Sequence, residues 1–286
     1  MLATVPSSSP VAAHASATGS SRPRWSAAPG SILCAASERA DEPQQERAGR
    51  GDGRPGVRQV LLIVIDGPAG AGKSTVAQRV AEHYDVPLLD TGAIYRTVAL
   101  VARRQGVAWD DEAGLARVVR AFPIEFRPAD VEGARPRVLF DGVDVSQAIR
   151  TPEISDGASR VSAVPAVRAG LLAIQRELGA RSCVAEGRDM GTVVFPGALH
   201  KFFLTASLDA RARRRHAELT QKSHPGRSFE QVRTEVARRD ERDTQRATAP
   251  LTRAPDAVVI DSSELPIADV VRRIIGHVDA RRGAPT

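Results

Sequence analysis

The 286-residue sequence contains no asparagine. It has no apolar run near the roughly 18 residues that a membrane-spanning helix needs, so no membrane segment or membrane partner is expected. Its two cysteines, Cys34 and Cys183, stand far apart and form no metal-ligand pattern. A disulfide framework and a structural zinc site are therefore not expected, and a reducing compartment fits. Aromatic residues make up only 4%, and no aromatic-rich RNA-binding motif is present. The sequence shows no internal repeat.

What is present is an ordinary globular composition, with 42% hydrophobic and 26% charged residues. The length allows one large domain or two small ones. Net charge is +6, from 40 Lys+Arg against 34 Asp+Glu, and most of the basic residues are arginine. That excess suits an anionic partner, either nucleic acid or a small phosphorylated substrate. Net charge does not separate these two from a plain solvated basic surface.

Residues 1–37 are rich in Ser, Ala and Pro and contain no acid, and residues 38–58 are polar and rich in Gly and Arg. Neither stretch has an apolar period, so residues 1–58 are expected to be a disordered extension. Their composition also matches an organellar transit peptide. From Gln59 the pattern changes. "VLLIVIDG" is a continuous apolar run of strand length, and Val76, Ala77, Val80, Ala81 and Tyr84 follow at helical spacing. "VPLLD", "CVAEG", "HKFFLTA" and "DAVVID" are further short apolar runs, and a helix is expected near "GAIYRTVALVARR". Strands alternating with helices predict a parallel α/β sheet with active groups at the strands' carboxyl ends. "PIEFRP" and "PRVLFDGVDV" alternate as an antiparallel hairpin does, so 120–170 reads as an insert. Residues 211–243 are charged and helical with a Pro-Gly break at 225–226, which predicts a helical hairpin covering something.

"GPAGAGKS" (67–74) satisfies G-x-x-x-x-G-K-[ST] between a strand and a helix. Gly67, Pro68, Ala69, Gly70, Ala71, Gly72, Lys73, Ser74 and Thr75 are accordingly the candidate ATP-binding residues. The glycines let backbone N–H groups turn around phosphate, and the helix N-terminus adds partial positive charge. Lys73 would reach the outer phosphates and the Ser74 hydroxyl would face Mg²⁺, the expected metal cofactor. The missing asparagine now excludes a GTPase, whose base reader is Asn-Lys-x-Asp. Asp261, at the end of "DAVVID", lies outside the usual order for a metal-binding strand and reads as structural. A small-molecule kinase remains.

"IDGPAGAGKS", "LLDTGAIYR", "SRVSAVPAVR", "AEGRDMGTVVFP" and "RRDERDTQRATAPL" occur in this order. Together they resemble the bacterial-type cytidylate kinase family, over about residues 59–280. The resemblance implies an α/β fold: a P-loop NTPase core with a parallel five-stranded sheet flanked by helices, a small NMP-binding insert and a helical lid. The expected boundaries are 59–119 and 171–280 for the core, 120–170 for the insert and about 211–243 for the lid. It implies phosphoryl transfer from ATP to CMP or dCMP. It implies that Arg96 and Arg188 hold the acceptor phosphate, with Thr91 in place of the family's common serine. Ser159, Arg168 and Asp189 match cytosine-reading residues, Arg239 and Asp243 a pair near the ribose, and Arg246 a phosphate contact. Lys73, Arg188 and Arg239 are the catalytic candidates. Glu186 stands where the family commonly has aspartate, and the sequence assigns it no role.

The physics of phosphoryl transfer agrees, because the protein's task is to position and neutralise, and arginine's planar fork suits phosphate. Arg239, Arg242, Asp243 and Arg246 fall at i, i+3, i+4 and i+7, so one helix face is expected to carry all four. Arg211, Arg214 and Arg215 would close over ATP or remain solvated surface. His216 and His224 read as surface, and Tyr95 and Phe126 as core. Two alternatives stay open: another P-loop kinase, acting on UMP, AMP or a non-nucleotide, and an RNA-stimulated ATPase. The expected partners are ATP and CMP or dCMP, with no nucleic acid and a monomeric state. The cytoplasm is the expected location, or the plastid stroma if residues 1–58 are a transit peptide.

Overall fold

The computed structural model describes residues 60–129, 133–221 and 226–283. The expectations for residues 1–58, and for Pro225 and His224, lie outside these.

The apolar runs form five strands: β1 (Leu62–Asp66), β2 (Leu88–Asp90), β6 (Cys183–Gly187), β7 (His200–Thr205) and β8 (Val258–Asp261). They make one sheet in the order β2-β6-β1-β7-β8, and all the pairings are parallel. Side chains alternate across a strand, so β1 supplies both faces. Ile63 and Ile65 pack with α1 (Lys73–Tyr84) and α8 (Ile267–Arg282), while Val64 packs with α2 (Thr91–Arg104), α3 (Glu112–Arg120) and α5 (Pro165–Leu178). Burial on both faces explains why these strands read as continuous apolar runs.

β3 (Ile124–Arg127), β4 (Arg137–Phe140) and β5 (Val143–Asp144) form a separate antiparallel sheet, with Ile124 opposite Phe140 and Phe140 opposite Val143. The β4–β5 turn is Asp141–Gly142, both at positive φ (50° and 73°), the conformation that a two-residue hairpin loop requires. Phe126 is buried among this core, as is Tyr95. α4 (Pro152–Val161) follows a 3₁₀ turn at Ala148–Arg150 and packs on α2.

α6 (Leu208–Gln221) and α7 (Phe229–Gln245) pair through Leu208, Leu219, Val232 and Val236. Ser228 and Gln231 cap α7 reciprocally. Gly226 sits between the two helices at φ 111°. Among the described residues, no helix is long and apolar enough to cross a membrane.

Candidate active site

β1 ends at Asp66, and the chain then turns through Gly67, Gly70 and Gly72, all at positive φ (146°, 75° and 92°). At Gly67 a Cβ would overlap the Leu204 carbonyl of β7, so only glycine fits. Pro68, Ala69 and Ala71 are buried in the loop, while Thr75 is half-buried in the first turn of α1. Lys73 opens α1, and its Nζ donates to the Pro68 carbonyl at 2.7 Å, folded back across the loop. Burial, then Arg188 beside it, hold the Lys73 ammonium well below the ordinary lysine range, with Glu186 partly opposing.

β6 lies beside β1, with Asp66 paired to Gly187. That register carries the loop after β6 to the mouth of the phosphate loop. Arg188 Nε donates to Asp243 of α7 at 2.9 Å. Burial opposes ionisation of Asp243, but Arg188 and Arg239 outweigh it and keep the carboxyl below its usual range. Arg239 is itself pulled down to about 10 by burial and by Arg188, and its Nε has no partner. Lys73, Arg188, Arg239 and Asp243 thus interact as one group.

Asp189, the next residue, turns the other way. Its carboxylate pairs with Arg168 of α5 and lies 3.6 Å from Arg246 Nη2. Arg168 lies over the Tyr95 ring, 5.5 Å from its centroid, and also donates to the Ser162 carbonyl at 3.2 Å. Arg246 Nε donates at 2.6 Å to the carbonyl of Ala249, a non-glycine residue at φ 51°. Among the described residues, Ser159 Oγ, Arg168 Nε and Arg246 Nη2 are buried without a hydrogen-bond partner. Unsatisfied buried polar atoms are costly, and two of these three belong to the arginines beside Asp189.

A third group sits at the ends of β2 and β6, where Asp90 is paired to Glu186. With Ser74, Arg135 and Arg150 they line a cavity of about 10 Å³. Burial, then the neighbouring Asp90, raise the Glu186 carboxyl, and its Oε1 has no partner. The Asp90 oxygens are taken by the Ala93 N–H, at 2.9 Å, and by Arg96, so the free Glu186 oxygen beside Ser74 is what remains here for a hard cation such as Mg²⁺. Arg96 Nη2 pairs with Asp90 at 2.8 Å.

Several expectations need adjustment. The four α7 positions keep their helical spacing, but the Arg242 side chain does not join the other three. It pairs with Asp156 of α4 at 2.8 Å on the surface, while Arg246 is the C-cap of α7 and its N–H still donates to the Arg242 carbonyl. The Thr91 hydroxyl donates to the Glu186 carbonyl at 2.7 Å, so it braces β6 in this state. Among the lid arginines, Arg211 is buried against the phosphate loop. It donates to the Ala69 carbonyl at 3.1 Å and pairs with Asp240. Arg214 is turned to Ser262 and Arg215 to Glu218. His216 Nε2 lies 3.1 Å from the Arg227 carbonyl, and its ring meets that of Phe229 edge-on at 6.5 Å. Asp261 is exposed and accepts from Ser263 at 2.6 Å. Sequence reasoning missed Asp66, Asp90, Arg135 and Arg150. Position at a strand's carboxyl end is a signal for the two aspartates; the two arginines carried none.

A five-stranded parallel sheet, a glycine-rich phosphate loop opening a helix and arginines converging on its lysine define a P-loop phosphotransferase. The cytidylate kinase family model matches residues 63–280, and this chain belongs to that family. A cytidylate kinase of Solibacter usitatus is 48% identical over 223 residues, covering 77% of this chain and 93% of that protein. One from Chromobacterium violaceum is 48% identical over 226 residues, covering 79% and 98%. One from Pasteurella multocida is 43% identical over 219 residues, covering 76% and 95%. Among solved structures, a shikimate kinase of Bacteroides thetaiotaomicron is 15% identical, covers 77% of this chain and 99% of its own, and has a TM-score of 0.37.

Proposed function

We propose that this protein transfers the γ-phosphoryl group of ATP to CMP, and to dCMP, giving ADP and the nucleoside diphosphate. One observation carries the reading. Consecutive residues of one loop face two different groups: Arg188 faces Lys73, Arg239 and Asp243, and Asp189 faces Arg168 and Arg246. The first group suits a transferring phosphoryl, the second a base edge, and adjacency in the chain fixes the distance between them.

On this reading ATP lies on Gly67–Thr75, and Lys73 swings from the Pro68 carbonyl to its outer phosphates. Arg188, Arg96 and the Thr91 hydroxyl hold the acceptor phosphate, and Asp243 accepts from ribose hydroxyls. A carboxylate only accepts hydrogen bonds, so Asp189 favours cytosine's exocyclic NH₂ over uracil's carbonyl. Ser159 and Arg168 complete the base contacts, and Arg246, expected beside the phosphate, stands with Asp189 in the base group instead. The acceptor is already an anionic phosphate oxygen, so no general base is required. Lys73, Arg188 and Arg239 offset charge that spreads over the moving group. Ser74 would hold Mg²⁺, with Glu186 behind it; the ion would supply charge neutralisation to the donor's phosphates. α6 and α7, which carry the lid at about 211–243, close over the donor and exclude water, which otherwise hydrolyses ATP. Residues 59–119 and 171–280 act as the core and 120–170 as the acceptor-binding insert. The protein works as a monomer in the cytoplasm.

Mixing the protein with ATP, Mg²⁺ and CMP tests the reading. CDP and ADP should form in equal amounts. ADP formation without CDP, stimulated by RNA and suppressed by salt, would identify an RNA-dependent ATPase instead.

A further inference from the structure

Asp66 is a buried carboxylate that the proposed chemistry does not use. It ends β1, immediately before the phosphate loop. Its Oδ1 accepts from the backbone N–H of Met190 at 2.9 Å, and its Oδ2 from that of Gly191 at 2.7 Å. Those N–H groups begin a single wide helical turn, Met190–Val194, for which Asp189 holds the N-cap position. An aspartate there ordinarily accepts from its own turn's free N–H groups. Asp189 makes no such bond, and its side chain goes to Arg168 and Arg246. Of the two donors that an N-cap side chain ordinarily reaches, at the second and third positions of the turn, that of Gly191 is taken by a residue more than a hundred positions away.

We propose that Asp66 is a positioning residue for base selection: by capping the turn after Asp189 it frees the Asp189 carboxylate to face the acceptor base. This rests on the proposed function. The charged groups around Asp66 are Lys73 on α1, Asp189 beyond β6 and the stem of Lys201 on β7, which packs near Gly191. Burial outweighs the two backbone donors and pushes the Asp66 carboxyl up to about 6, so the site resists the charge it holds. Retaining a carboxylate against that resistance fits a role in function better than one in stability.

Asp66→Asn keeps the shape but offers one acceptor oxygen to two N–H groups, and its NH₂ opposes the second. Asp189 then has a free donor close at hand and a reason to leave Arg168. The KM for CMP should rise about tenfold while that for ATP stays within about twofold, and the CMP/UMP ratio of kcat/KM should fall. In an Asp189→Asn background the same substitution should change that ratio by less than about twofold, because both act through one carboxylate. A purely structural role predicts that the two KM values move together or not at all, with the CMP/UMP ratio unchanged, and that result overturns the proposal. If Asp66→Asn gives no folded protein, the wild type supplies the test. Its CMP/UMP ratio should fall as pH drops from about 7.5 to about 5.5, where Asp66 takes up a proton. CMP and UMP share one phosphate chemistry, so substrate titration cancels. A flat ratio contradicts the proposal. If the wild type prefers another acceptor, the function is misassigned, and the same comparison run with that acceptor still decides the role of Asp66.

Discussion

Arg188 and Asp243 join the end of the central sheet to α7 through a hydrogen bond of 2.9 Å, with side chains only 17% and 4% exposed. On the proposed reading, the bond links the arginine that holds the acceptor phosphate to one helix of the pair that closes over the donor. Asp243→Ala removes a carboxylate that offsets both Arg188 and Arg239. It should lower kcat/KM for CMP by at least about 10²-fold, read by steady-state kinetics. It should also cost roughly 3 kcal/mol of stability in denaturant titration, because buried positive charge is left uncompensated.

Lys73 presents the reverse balance. It is buried beside Arg188 and Arg239, and holding its charge there is unfavourable. Lys73→Ala should abolish measurable turnover, a fall of about 10³-fold or more. Its melting temperature should equal or exceed that of the wild type, since a poorly tolerated cation is gone. Near-normal turnover would remove Lys73 from the mechanism.

Asp66 makes stability depend on pH in an unusual direction. Its folded value of about 6 lies above the ordinary 3.8, mainly through burial. Between these values the native state binds more protons than the unfolded chain, so stability attributable to Asp66 falls as pH rises from about 4 to about 6. The loss approaches about 3 kcal/mol once the carboxyl is ionised in both states. Asp66→Asn lacks this term. The stability difference between variant and wild type should therefore shift in the variant's favour across that window, in denaturant titrations at several pH values. A constant difference would place the Asp66 carboxyl at its ordinary value.

Gly67 is held at φ 146° with the Leu204 carbonyl where a Cβ would lie. Gly67→Ala should cost at least about 2 kcal/mol, through strain and displacement of β7, and weaken ATP binding with it. Gly72 also has positive φ but open space around it, so Gly72→Ala should be milder. Paired thermal melts compare the two.

The sheet was legible because its strands are apolar runs that stop at polar or small residues, and "GPAGAGKS" carried its own context. Arg188 and Asp189 were legible only by resemblance, since nothing local says that adjacent residues face opposite ways. The divergence follows from the wide turn at Met190–Val194, whose cap comes from Asp66 through β1–β6 pairing. The four-residue face on α7 was legible for Arg239, Asp243 and Arg246 but not for Arg242. Helical spacing is blind to a partner on another helix, and Asp156 of α4 draws Arg242 away. Glu186 drew attention as a charge among apolar residues; its carboxylate lies beside Ser74 at a strand end, next to Asp90, whose own oxygens go to Ala93 and Arg96.

The central claim is that the Arg168–Asp189–Arg246 group reads cytosine. A panel of CMP, dCMP, UMP and AMP with ATP·Mg²⁺ tests it most directly. CMP and dCMP should exceed UMP in kcat/KM by at least about tenfold, the discrimination expected when a buried acceptor loses its donor. UMP turned over faster than CMP would contradict the assignment.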